Sequence, residues 1–304
     1  MSEKFKTAAG YNPDLTRDCE TALVVLLQAF GSLKTTLRLV GGLVPRYLTP
    51  ARPPEIPPHA GTTDVDVVLN VSVLADSGVY DKLRRQLKDN GFVPYEPAPG
   101  KVSSWQWVYQ LNGHPVRIEF LQNTDDPDQS GKLGTVDGEG VSAVQFLHAG
   151  VAHEWFHEHA VTTELPGGNG VVTEVVRFAD VVAFMVLKTV AFHQRHEHKD
   201  VADLVHVMRY WGPIDDLASL YAQRQLNSPL RGILHEVLQL LEAHFCDSED
   251  IEGWRKDGPA KFANFHQIGQ PGSDEFVREQ REVSSMVDYF IGRVREQFSS
   301  HSEP

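Results

Sequence analysis

Leu37-Arg38-Leu39-Val40-Gly41-Gly42-Leu43-Val44-Pro45-Arg46-Tyr47-Leu48 and, after a proline-rich insert, Gly61-Thr62-Thr63-Asp64-Val65-Asp66-Val67-Val68-Leu69-Asn70-Val71 decide how this chain is read. In the first run a short apolar stretch ends at two glycines. That pattern predicts a strand followed by a sharp turn, where a backbone or a ligand can come close because glycine lacks a Cβ. A phosphate fits such a turn. The second run alternates at period 2, which puts Asp64, Asp66 and Val68 on one face of a strand and Val65, Val67 and Leu69 on the other. Two carboxylates on one face raise the cost of ionising each other, and a hard cation such as Mg²⁺ relieves that cost.

Upstream, residues 14–31 carry apolar positions at helical spacing from Cys19 to Phe30, with Asp14 or Thr16 as cap and Gly31 as stop. After a short helix at 43–49, the prolines of 50–61 predict a stiff surface loop. Residues 79–90 read as an amphipathic helix ended by Gly91, with Lys82, Arg84, Arg85 and Lys88 on its polar face. The ordinary reading of those four charges is a solvated face, and contact with nucleic acid is the alternative. Asn112-Gly113 between two strand-like runs, 104–111 and 115–122, signals a hairpin. Its second strand sets Arg117 and Glu119 opposite Ile118 and Phe120, so Glu119 can add a third carboxylate to a metal-holding strand pair.

Residues 123–141 read as a loop, 141–160 as a short helical piece, and 171–178 as a strand after a Gly-rich turn. From Asp180 onward the pattern is helical, over 181–194, 199–210, a helix opened by Pro213, 230–245 and 275–298, while 247–274 reads as irregular. The expected fold is therefore α+β, with a mixed-sheet domain over 1–178 and a helical domain over 179–304.

Composition narrows the function classes. Apolar residues make up 41% and charged residues 23% of 304, near the globular norm, and no apolar run is long enough to span a bilayer. No signal peptide is evident, and two distant cysteines, Cys19 and Cys246, exclude a disulfide scaffold or a cysteine-rich zinc module. A cytoplasmic protein with no membrane partner is expected. The net charge of −13 opposes global attraction to nucleic acid, so such a partner would need a local basic patch.

Gly41-Gly42 after a strand, Asp64-x-Asp66 on the next and Glu119 on a later one resemble the signature of the nucleotidyltransferase superfamily, the DNA polymerase beta-like fold. Lys188 and Arg195-His196-Glu197-His198-Lys199-Asp200-Val201-Ala202-Asp203-Leu204 resemble, more narrowly, the C-terminal motif of the AbiEii/AbiGii-type nucleotidyltransferase toxins. The resemblance covers about 37–210. It implies an enzyme moving a nucleotidyl group from an NTP to a hydroxyl, with an RNA end, tRNA included, as candidate acceptor and an antitoxin protein as candidate partner. Asp64, Asp66 and Glu119 would hold one or two Mg²⁺ ions and, with Lys188, form the catalytic set. Gly41, Gly42, Arg46, Thr62, Lys188, Lys199, Asp200 and Asp203 would bind the nucleotide, in a cleft between the two domains. Ala60 stands where the toxin family tends to have an arginine, with Arg46 or Arg52 as substitutes.

The residues of that motif also have plainer readings. Lys188 in an apolar helix face either pairs with phosphate or carboxylate, or snorkels outward. Asp200 and Asp203 either orient Lys188, Lys199 or Arg195, or are helix-surface charges. A non-catalytic module that keeps the fold is the alternative to an enzyme. A third reading rests on His153-Glu154-Trp155-Phe156-His157, which matches H-E-x-x-H: on a helix, His153 and His157 would hold Zn²⁺ with Glu154 as the general base of a metalloprotease. Surface or core-edge histidines are the ordinary interpretation of that string, and of His193, His196 and His198 near a helix junction.

Overall fold

A computed structural model of the chain describes residues 5–70, 80–134 and 141–300, without the side chains of 80–82, 299 and 300. The expectations placed on Val71, Val79, the Lys82 side chain and 135–140 lie outside the described residues. Strand β1 (Leu37–Val40), β2 (Asp64–Leu69), β3 (Val93–Pro94), β4 (Gln106–Leu111), β5 (His114–Thr124), β6 (Val144–Leu147), β7 (Phe156–Glu164) and β8 (Val171–Ala179) form one sheet. Its order is β3-β4-β5-β2-β1-β8-β7, with β6 alongside β5. The sheet is mixed: β2 runs antiparallel to β1 and parallel to β5, and β8 runs parallel to β1.

Helix α1 (Pro13–Phe30) covers the sheet face formed by Val65, Val67, Ile118 and Phe120. Its Phe30 ring lies 5.9 Å from that of Phe120, and Leu23, Leu26 and Leu27 are buried with it. Each such side chain removed from water contributes about 1.5–3 kcal/mol. The helix is capped by Asn12, whose side chain accepts from Asp14 N at 2.8 Å, with Pro13 in the first turn, rather than by Asp14 or Thr16. Short α2 (Pro45–Leu48) follows the glycine turn, and α3 (Tyr80–Asp89) ends at Gly91, whose φ is +86°. Asn112 and Gly113, both with positive φ, close the β4–β5 hairpin as the sequence predicts. The stretch read as a helical piece over 141–160 instead holds β6, the four-residue α4 (Val151–Glu154) and the start of β7.

A helical region follows: α5 (Val181–Arg195), α6 (His198–Tyr210), α7 (Ile214–Asn227), α8 (Arg231–Phe245), α9 (Asp257–His266) and α10 (Asp274–Ser300). Asp180 starts it, accepting from Val182 N at 3.1 Å and Ala183 N at 3.0 Å. Helix α9 lies inside the stretch expected to be irregular. Gly258-Pro259 reads as a breaker in sequence, but proline is tolerated in a first turn where its missing N–H has no partner anyway.

The chain divides into two compact units, 12–47 with 61–183, and 1–11 with 48–60 and 184–304. The division therefore differs from a single cut at 178, because the proline-rich 48–60 belongs with the helices. Among the described residues, no helix is long and apolar enough to cross a membrane.

Candidate active site

The pairing register of the sheet unit sets its polar face. Asp66 lies opposite Glu119 in the parallel β2–β5 pair, Asp64 lies opposite Arg117, and Gln106 on β4 lies opposite Glu119. Partners in register present their side chains to the same face, so Asp64, Asp66, Arg117, Glu119 and Gln106 share one surface. Asp64 is buried. Its Oδ1 accepts from Thr62 Oγ1 at 2.7 Å, and Thr62 is itself held by a hydrogen bond from its N–H to Thr16 Oγ1 at 3.1 Å. Thr62 is thus a positioning residue for Asp64. Half-buried Glu119 accepts from Gln106 Nε2 at 2.9 Å.

Gly41 stands directly over this face, with φ +74°, a region L-residues avoid. A Cβ there would overlap the Asp66 carboxylate oxygen and lie 2.7 Å from Asp66 Cγ. Glycine at 41 is therefore required by the close approach of turn and carboxylate. Buried Gly42 continues the turn. Although they share a face, Asp64, Asp66 and Glu119 do not bring ligand oxygens within 4.8 Å of one another. Among the described residues, the group that does so is His196, His244 and Asp257.

Arg117 is the residue that sequence reasoning left without a role. Its guanidinium stacks on the Tyr95 ring at 4.1 Å from the centroid, and its buried Nε and Nη1 have no hydrogen-bond partner among the described residues. The signal was its spacing, two residues before Glu119 on a period-2 strand. Arg46, expected at the nucleotide, makes a two-pronged contact with Glu20 at 3.1 Å and 3.1 Å, which Tyr47 Oη joins at 2.8 Å. Arg52 lies in the other unit. On α3, Arg85 and Lys88 are exposed and Arg84 is half-buried.

The helical unit holds the second group of expected site residues. Lys188 on α5 is buried and does not snorkel. Its ammonium lies 3.1 Å from Asp200 Oδ1 and 2.7 Å from Asp203 Oδ2, both on α6. Arg195 grips Asp200 with Nε at 2.6 Å and Nη2 at 2.8 Å, and Lys199 contacts Asp203 one turn away. Asp200 and Asp203 are therefore interior counter-charges, not helix-surface charges. Burial alone would lower the Lys188 ammonium, but Asp203 and Asp200 override it and hold it above its ordinary value. Burial likewise opposes the charge on Asp203, yet Lys188, Lys199 and His59 keep it well below the usual carboxylate range. His59 contacts Asp203 Oδ1 at 2.7 Å, and burial, then Lys199, push it down to about 4.

The H-E-x-x-H string does not form a zinc site of the metalloprotease kind. His153 lies within the four-residue α4, whereas His157 sits on β7 opposite Phe178, so the two are not one turn apart on a helix. Burial, then Arg38, push His153 down to about 4, and its Nε2 is buried without a partner among the described residues. His153 is a half-buried histidine at the edge of the core.

No family model matches the chain, and no curated protein matches it. Among solved structures, the crystal structure of JHP933 from Helicobacter pylori aligns over 95% of this chain and 97% of its own, at 12% identity and a TM-score of 0.38.

Proposed function

We propose that this chain is a Mg²⁺-dependent nucleotidyltransferase, with a nucleotidyltransferase-type sheet, that transfers a nucleotidyl group from an NTP to a hydroxyl acceptor. The observation that carries the proposal is the Asp64, Asp66 and Glu119 face with Gly41 pressed against the Asp66 carboxylate. The donor set is entirely oxygen, which suits Mg²⁺. That ion keeps several waters and needs only one or two carboxylates, so the three need not converge. Held by carboxylates among Asp64, Asp66 and Glu119, the metal would supply positive charge that offsets the negative charge developing on the phosphate during transfer.

The chain's own residues do the rest. The turn at Gly41 brings the backbone against the Asp66 carboxylate, and Arg117 offers two N–H groups that no other described residue uses, fit to take a phosphate oxygen. Thr62 and Gln106 fix the carboxylates before substrate arrives. The acceptor oxygen forms a bond to the α-phosphorus as the bond to the bridging oxygen breaks. Pyrophosphate leaves, and the hydroxyl proton passes to a carboxylate of this face. By the toxin-family resemblance, the acceptor is an RNA end such as that of tRNA, the partner an antitoxin protein, and the setting phage defence in the cytoplasm.

Incubating the protein with each α-labelled NTP, Mg²⁺ and total RNA tests this reading. Label should move to RNA with at least one nucleotide, stop with EDTA, and fall by orders of magnitude in Asp66→Asn. NTP binding without transfer would indicate the non-catalytic module instead. Transfer unaffected by Asp66→Asn would refute the assignment.

A further inference from the structure

Histidines scattered in sequence meet in the helical unit. His196 lies between α5 and α6, His244 in the last turn of α8 and Asp257 at the start of α9. Their ligand atoms all lie within 4.8 Å of one another. The two Asp257 oxygens are shared between the rings: His244 Nδ1 is 2.8 Å from Oδ1, and His196 Nδ1 is 3.1 Å from Oδ2. The outer edge of His244 is also held, since its Nε2 is 3.1 Å from His193 Nδ1 and its ring packs on Phe192 at 4.8 Å. Lys261, the nearby cation, lies 3.7 Å from Asp257 Oδ2 and donates to the His196 carbonyl at 2.8 Å.

We infer that His196, His244 and Asp257 form a binding site for a divalent transition metal, with Zn²⁺ the best match. Two imidazoles and one carboxylate are the donors zinc takes in a three-ligand site that keeps a fourth position for water. His193, whose Nδ1 lies 3.1 Å from Nε2 of His244, holds that ring with its Nδ1 turned toward the site. His196 has φ +53°, a left-handed conformation at a helix end where glycine or asparagine is usual, and this brings its ring to the cluster. The metal would tie together three separate helical segments. The site is independent of the sheet carboxylates, and its ligands are neither those of the H-E-x-x-H string nor those proposed for Mg²⁺.

The test uses the full-length, tag-free protein stripped of metal, titrated with Zn²⁺ against a chromogenic chelator and with Co²⁺ by visible absorption. One equivalent should bind, with absorption bands of tetrahedral cobalt and a rise in Tm. His196→Gln, whose side chain is 51% exposed, and Asp257→Asn should each weaken binding at least tenfold, while His153→Ala should not. The inference is overturned if no stoichiometric metal binds. It is equally overturned if metal binds with the same affinity in the His196 and Asp257 variants, since other histidines among the chain's 14 could hold it elsewhere.

Discussion

Asp203→Asn and Lys188→Met remove opposite charges from the same buried pair, and the structure ranks them. In Asp203→Asn, Lys199 loses its short carboxylate partner, His59 loses its 2.7 Å acceptor, and Lys188 must share Asp200 with Arg195. Removing one partner of a buried ion pair typically costs about 3–5 kcal/mol. In Lys188→Met the thioether side chain fills most of the vacated volume. Each carboxylate also keeps a cation, Arg195 on Asp200 and Lys199 on Asp203, so the cost should be about half as large or less. Urea unfolding at pH 7 followed by far-ultraviolet circular dichroism measures both. The expected order of stability is wild type, then Lys188→Met, then Asp203→Asn. Equal costs, or Lys188→Met as the less stable variant, would refute this account of the cluster. The same ranking bears on function: a loss of NTP binding in a Lys188 variant is interpretable only after its stability is known, because Lys188 already serves two carboxylates.

Gly41→Ala should cost about 1–2 kcal/mol from the left-handed backbone alone and, by displacing the Asp66 carboxylate, should remove Mg²⁺-dependent triphosphate binding, as read by calorimetry; unchanged binding would show that the turn does not set that carboxylate. Acid should destabilise the fold well above the carboxylate range. His59, His153 and His206 are held neutral down to about 4, 4 and 3, whereas the unfolded chain takes up their protons near 6.5. The unfolded state thus binds more protons across that window, and stability falls as pH drops from about 6.5 toward 4, by up to about 1.4 kcal/mol per pH unit for each histidine. Matching urea midpoints at pH 7 and pH 5 would contradict this. Reversing Arg84, Arg85 and Lys88 should weaken binding of single-stranded RNA and lower its salt slope by about 0.7 for each phosphate no longer neutralised; an unaltered slope would exclude this helix face.

The sheet carboxylates were legible because period-2 alternation in β2 and β5 is a local property. Pairing of Asp66 with Glu119 further needs those two strands to be neighbours in one particular register, which no local pattern states. The buried Lys188 network was half legible. An ammonium in an apolar helix demands a partner, but whether Asp200 and Asp203 face inward depends on where α6 packs, and helical spacing alone does not fix that. Strand β7 escaped notice because it is an edge strand with little burial, so its sequence lacks an alternating apolar signature. The metal cluster was hidden for a different reason. His196, His244 and Asp257 come from three segments, one of them a helix disguised by Gly258-Pro259, and no motif spacing connects them.

Residues 48–60 belong with the helices yet precede most of the sheet in the chain, which gives biosynthesis an order problem. As the polypeptide leaves the ribosome, this segment emerges before the rest of the sheet unit, while Asp203, the partner of His59, lies 144 residues further on. The sheet unit can gather its strands once residue 183 is out, but the helical unit must wait for synthesis to run nearly to its end. During that interval the proline-rich loop is a tether without its destination. A nascent chain stalled with residue 183 outside the ribosomal exit tunnel and residue 203 still inside it should therefore display a folded sheet unit whose 48–60 segment is open to protease, and cleavage there should cease only as the later helices are released.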